Sequence, residues 1–141
     1  MNEWQIVIAE KASEADVALL RDAIFAFNCE STGYRDGLSL SCFLHDDDGL
    51  VAGIDGFTWG GYARVEYLWV REAYRGQGLG LRLLAAAESE ARRRGCRTLV
   101  LTSHSFQAPD LYRNHGYSEV GTTVDTPRGY TEIVFQKRLI P

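Results

Sequence analysis

The chain has 141 residues, 45% hydrophobic and 24% charged, with 15 basic against 19 acidic side chains and a formal net charge of −4. These values describe one ordinary globular domain, residues 1–141, that closes its own core. They speak against nonspecific nucleic-acid binding, and no run of residues is apolar over the length of a membrane span.

The N-terminus, Met1-Asn2-Glu3-Trp4, has no basic region ahead of an apolar stretch. No signal peptide is therefore expected, and the cytoplasm is the expected compartment. Cys29, Cys42 and Cys96 form no Cys-x-x-Cys pair, the pattern of reduced thiols rather than of a disulfide framework or a zinc site. Residues 5–9 read as a first strand. Ser13 offers an N-cap, with Glu14 and Asp16 in a first turn that favours negative charge. Val17, Leu20, Ile24 and Phe27 recur at helical spacing and predict one buried face, with fraying near Asn28. Residues 29–37 are polar and rich in turn formers.

Three strands follow, residues 38–45, 50–58 and 62–70, joined by Asp46-Asp47-Asp48-Gly49 and by Gly60-Gly61. Such short Asp-Gly and Gly-Gly connections make antiparallel hairpins. The Asp triplet sits at a hairpin tip and reads as a turn rather than a metal site. A helix from Leu79 carries Leu79, Leu83, Leu84, Ala87 and Ala91 on one side. Arg92, Arg93 and Arg94 complement the negative end of its dipole, and Gly95 suits the position after it. Residues 97–102 form an apolar strand. A whole helix separates it from 62–70, so it should run parallel to that strand. Pro109 starts a short helix that Gly116 ends, and residues 117–124 and 130–138 are the last two strands. The sum is an α/β (α+β) fold, a mixed and mostly antiparallel sheet of about seven strands with helices on both faces.

The chemistry lies in Val70-Arg71-Glu72-Ala73-Tyr74-Arg75-Gly76-Gln77-Gly78-Leu79-Gly80. A strand, a glycine loop and a helix N-terminus bring backbone N–H groups and a partial positive charge to one anion. A P-loop is excluded, because Leu81 and Arg82 follow Gly80 where Lys and Ser or Thr are needed. A dinucleotide fingerprint is excluded too, because Leu81 or Leu83 takes the place of its third glycine. What fits is Arg/Gln-x-x-Gly-x-Gly/Ala, through Arg75, Gly78 and Gly80. Leu68-Trp69-Val70 precedes it, and Leu111-Tyr112-Arg113-Asn114-His115-Gly116-Tyr117 follows the next strand. With these flanks the chain resembles the GCN5-related N-acetyltransferases over nearly its whole length, most specifically in residues 66–117.

The resemblance implies acetyl-CoA as co-substrate and no metal. The pyrophosphate would lie on Arg75, Gly76, Gln77, Gly78, Leu79 and Gly80. Strands 62–70 and 97–102 would splay apart, and the pantetheine arm would lie in that gap against Leu68, Trp69 and Val70. The Val70 N–H would face the thioester carbonyl. The reaction implied is direct attack of a neutral primary amine in a ternary complex, with Tyr112 as the acid that protonates the leaving thiolate. Two side chains compete as base, with a relaying water as a third route. Glu66 lies four residues before Val70, so alternation predicts that it shares a face with Leu68 and Val70. His104 offers an imidazole, suited to proton transfer near neutral pH.

Two positions depart from the pattern of members that acetylate protein N-termini. Ser105 stands where those carry a cofactor-contacting Asn, and keeps a weaker hydrogen bond; Val100 stands where they carry a Glu. A small-molecule amine is therefore the expected partner. Tyr34, Trp59, Tyr62 and Tyr130, with Glu30 and Asp36, suit a cationic acceptor. Family analogy adds a homodimer, and a non-catalytic acetyl-CoA sensor of the same fold is the alternative function.

Overall fold

In the computed structural model, which describes residues 3–141, the first helix is capped at both ends by residues suited to it. The Ser13 hydroxyl accepts from the Asp16 N–H at 3.2 Å, and Gly33, at φ +80°, returns its N–H to the Cys29 carbonyl at 2.8 Å. Helix α1 therefore spans Glu14–Thr32 and continues past Asn28. It belongs to a unit that ends at Arg35, distinct from a second unit running from Asp36 to Pro141. Residues 5–9 form no strand, because their backbone groups pair with no neighbour. A single helix cannot bury its own apolar stripe, and Val17, Leu20, Ile24 and Phe27 are all exposed.

The second unit is a seven-stranded sheet with two helices. Its elements are β1 (Leu38–Ser39), β2 (Cys42–Asp46), β3 (Gly49–Trp59), β4 (Tyr62–Val70), α2 (Leu79–Arg93), β5 (Thr98–His104), α3 (Pro109–Arg113), β6 (Ser118–Val124) and β7 (Thr131–Arg138). The order is β1-β3-β4-β5-β7-β6, with β2 also on β3, and every pairing is antiparallel except β4 with β5. The strand total agrees with expectation through two offsetting differences. Residues 5–9 are lost, and 38–45 is divided into β1 and β2. The register is the same on both sides of that division, Leu38 opposite Thr58 and Cys42 opposite Ile54, so one strand is interrupted. The interruption lies opposite a bulge in the β3–β4 pair.

That bulge sets the geometry of β4. Asp55 faces Tyr67 but Gly56 faces Val65, leaving Glu66 as the extra residue. Before it the inward residues are Ala63 and Val65; after it they are Leu68 and Val70. The bulge also presses the Arg64 carbonyl onto Gly56, where an added Cβ would lie 1.9 Å from that oxygen. Only glycine fits there.

α2 lays Leu83, Leu84, Ala87 and Ala91 on the sheet, where each leucine removed from water contributes about 1.5–3 kcal/mol. Glu88 of α2 reaches Lys137 of β7, and Tyr112 of α3 packs on Phe135 of β7. Lys137 and Phe135 lie two residues apart, so α2 and α3 share one face of the sheet. No helix among the described residues is long and apolar enough to cross a membrane.

Candidate active site

β4 and β5 pair through Tyr62–Thr98, Ala63–Leu99 and Arg64–Val100 and then part. Beyond that point β4 stays paired to β3 as far as Val70, and β5 stays paired to β7 as far as His104. Residues 65–70 and 101–104 therefore border an open gap. The backbone direction at its edge follows from the ladder. The Arg71 N–H donates to the Val51 carbonyl at 2.7 Å, which makes 71 and 51 a hydrogen-bonded pair. Antiparallel pairs alternate, so Val70 opposite Ala52 and Leu68 opposite Ile54 are non-bonded pairs. Their N–H and C=O groups turn away from β3 and into the gap. The Val70 carbonyl accepts from Arg75 Nε at 2.8 Å, as that direction requires.

The glycine loop joins this edge to a helix start. Gly78 is the N-cap of α2 at φ +80°, a conformation that glycine adopts without strain, and nothing lies within 4 Å of where a Cβ would be. The first turn of α2 has no side-chain cap and no acidic residue, so its N–H donors are left to an external anion. The Cβ position of Gly80 is 3.8 Å from Val70 Cγ2, which sets the helix start against the end of β4. A buttress holds the loop from behind. Asp46 accepts from Arg71 Nη1 at 2.9 Å and from the Tyr74 hydroxyl at 2.8 Å, and Arg71 also donates to the Leu50 carbonyl. The Arg71 guanidinium, and then the Tyr74 hydroxyl, lower the Asp46 carboxyl from 3.8 to about 2. Sequence spacing marks Asp46 as a turn residue and gives no sign of this role. Among the described residues no group of three or more His, Cys, Asp or Glu side chains could hold a metal ion.

Tyr112 sits on α3 between Tyr117 and Phe135, with ring centroids 5.7 and 5.5 Å away. Burial raises its phenol above the ordinary value. Among the described residues no buried side-chain oxygen lacks a partner, and the Tyr112 hydroxyl has none. That hydroxyl therefore keeps some access to solvent, although Tyr112 as a whole is only 7% exposed.

The two base candidates differ. Glu66 is exposed on the bulge and has no hydrogen-bond or ion-pair partner among the described residues. The parity that groups it with Leu68 and Val70 breaks at this residue, because the bulge inserts it between two registers. Both His104 ring nitrogens are occupied, Nδ1 by the Thr126 carbonyl at 2.8 Å and Nε2 by Glu132 at 3.3 Å. Glu132 lies far along the chain and carries no local signal. The Ser105 hydroxyl accepts from the Thr131 N–H at 3.2 Å, clamping the end of β5 to the start of β7.

A sheet opened between parallel neighbours, beside a glycine loop and an uncapped helix start, has the shape and donors to take an extended, anionic ligand. Comparison with known proteins agrees. The acetyltransferase (GNAT) domain family matches residues 39–119. The chain is 32% identical over 133 residues to an acetyltransferase of Agrobacterium fabrum, covering 94% of this chain and 97% of that protein. It is 37% identical over 91 residues to the blasticidin-S acetyltransferase of Streptomyces morookaense, covering 64% and 67%. A crystal structure of an acetyltransferase from Bacillus cereus superposes with a TM-score of 0.76 at 29% identity, over 94% of this chain and 97% of that one. The chain belongs to the GCN5-related N-acetyltransferase (GNAT) family and is an N-acetyltransferase.

Proposed function

We propose that this enzyme moves the acetyl group of acetyl-CoA onto the primary amine of a small molecule, by direct attack with both substrates bound. The observation that carries the reading is the gap between β4 and β5, with the backbone of Leu68 and Val70 turned into it. The Leu68 backbone groups and the Val70 N–H, which have no strand beside them there, fit an extended amide chain, and the bare start of α2 fits a pyrophosphate.

The thioester supplies an activated acetyl carbon; the remaining roles belong to this chain. The Val70 N–H holds the carbonyl oxygen as negative charge develops there, and one such fixed donor is worth roughly 2.7–4 kcal/mol. The Tyr112 hydroxyl gives its proton to the departing sulfur. Glu66 takes the proton that the acceptor ammonium must lose. Its unpartnered carboxylate favours it over His104, whose ring nitrogens are engaged. Val100, in place of the Glu of peptide-acetylating members, favours a small acceptor, as does the blasticidin-S relative. The three cysteines are unpaired, which suits a reducing cytoplasm.

The test is CoA release from acetyl-CoA across a panel of small amines, read by chromatography or mass so that Cys29, Cys42 and Cys96 do not interfere. An N-acetylated product with at least one amine is expected. If acetyl-CoA binds and no small amine is modified while a protein substrate is, the small-molecule reading fails.

A further inference from the structure

β5 and β7 end together in a corner of four side chains that the proposed transfer steps leave unused. His104 and Glu132 face each other across the two strands. Phe106 lies parallel to the His104 ring, with centroids 5.1 Å apart and planes 5° from parallel. Tyr130 meets Phe106 edge to face at 5.0 Å. The corner is held by backbone bonds on both sides, Ser105 N–H to the Thr131 carbonyl at 2.9 Å and Thr126 N–H to the Tyr130 carbonyl at 3.0 Å. Phe106 and Tyr130 are nevertheless 54% and 49% exposed, large apolar surface for rings so firmly placed.

The hydrogen bonding at this corner leaves one acceptor open. A carbonyl only accepts, so the 2.8 Å contact with Thr126 assigns the proton of the imidazole to Nδ1. Nε2 lies 3.3 Å from one carboxylate oxygen of Glu132. The second Glu132 oxygen has no partner among the described residues. An ammonium group supplies N–H donors to that open oxygen and a charge opposite to the carboxylate's, and its carbon flank is attracted to the faces of Phe106 and Tyr130.

We propose that Glu132, His104, Phe106 and Tyr130 form a subsite for a protonated amine with an apolar flank, and that this subsite selects the acceptor. The inference rests on the reading of the acceptor as a small amine. Residues 101–104 border the gap, so the subsite opens beside the place where the acetyl group would be presented.

The test uses the full chain without acetyl-CoA, titrated with benzylammonium and, as a neutral control, benzyl alcohol, with ring signals followed by NMR. Benzylammonium should give saturable shifts at His104, Phe106 and Tyr130, and benzyl alcohol should bind at least about tenfold more weakly. Glu132→Gln, a change at a half-buried position that keeps the side-chain shape, should weaken benzylammonium by about tenfold. The proposal is overturned if these rings show no saturable shift, if the alcohol binds as well as the ammonium, or if Glu132→Gln binds undiminished. CoA release with other amines alongside absent benzylammonium binding would sink the subsite and leave the transferase reading standing. Binding here without acetylation of any small amine would support the subsite and count against that reading.

Discussion

Glu88 and Lys137 meet at the junction of α2 and β7, the Lys137 Nζ donating to both carboxylate oxygens at 3.1 and 3.0 Å, while the Tyr117 hydroxyl donates to the same carboxylate at 2.7 Å. Glu88 is 7% exposed. The pair ties the helix that begins at the glycine loop to Tyr117, the ring against which Tyr112 packs. Removing one member of a buried pair strands the other charge, at a cost of about 3–5 kcal/mol. Lys137→Met should cost near the lower end, about 3 kcal/mol, because Tyr117 still donates and Arg92 Nη2 lies 3.9 Å away. Urea unfolding checks the figure. A loss below about 1 kcal/mol would mean that solvent already screens the pair.

Gly56→Ala should be more damaging than a methyl group implies. The new Cβ meets a backbone carbonyl, that of Arg64, at 1.9 Å, and a carbonyl within a sheet cannot swing aside as a side chain does. Overpacking of this kind costs about 1–3 kcal/mol where side chains can yield, so the upper end is expected. Relief would require undoing the bulge at Glu66, which would turn the backbone of Leu68 and Val70 away from the gap. A lowered melting temperature together with weakened acetyl-CoA affinity is the expected pair of results. Unchanged affinity in a folded variant would detach the bulge from the binding edge.

The Asp46 buttress makes a prediction about pH. Its carboxyl is lowered to about 2 when folded, against an ordinary 3.8, first by Arg71 and then by Tyr74. A depressed acid stabilises the fold above its unfolded value and loses that contribution as pH falls through the folded one. Wild type should therefore exceed Asp46→Asn in melting temperature by a constant margin above about pH 5, and the margin should close between about pH 4 and 2. Glu90 is lowered to about 2 as well, through Arg93 and Arg94, so the comparison with Asp46→Asn is needed to isolate one carboxylate. A margin that persists at pH 2 would refute the buttress as a charged pair.

Local patterns made much of this legible. The glycine hairpin and the apolar alternation place residues 62–70 as a strand, which matches β4, and the stripe on α2 is buried from Leu83 to Ala91, with Leu79 partly buried at its start. The splay follows from family resemblance, and the register confirms it. What the sequence hides is any relationship between distant residues. Glu132 is a strand residue until the fold brings it to His104. Glu88 looks like an ordinary helix charge until α2 turns it toward Lys137. The bulge is invisible because an extra residue in β4 changes no composition, and Gly56 resembles any strand glycine. Residues 5–9 have strand chemistry but no partner, and strand propensity reports packing against neighbours rather than an intrinsic preference.

Tyr112 and Glu66 should separate in a pH profile. Tyr112→Phe removes the hydroxyl while keeping the ring that packs on Tyr117 and Phe135. Turnover should fall by about a hundredfold, the low end for a positioned acid, with acetyl-CoA affinity nearly unchanged. Burial raises the phenol above its ordinary value, so wild type should keep its acid protonated through the neutral range and show no loss of turnover from Tyr112 below about pH 10. Glu66→Gln acts on the other side of the reaction. Without a base the acceptor must shed its own proton, so activity should shift toward higher pH, with full rate recovered where the amine is neutral. An unaltered profile in Glu66→Gln would give the proton to a water relay instead. A Tyr112→Phe enzyme as fast as wild type would mean that the thiolate leaves without that acid.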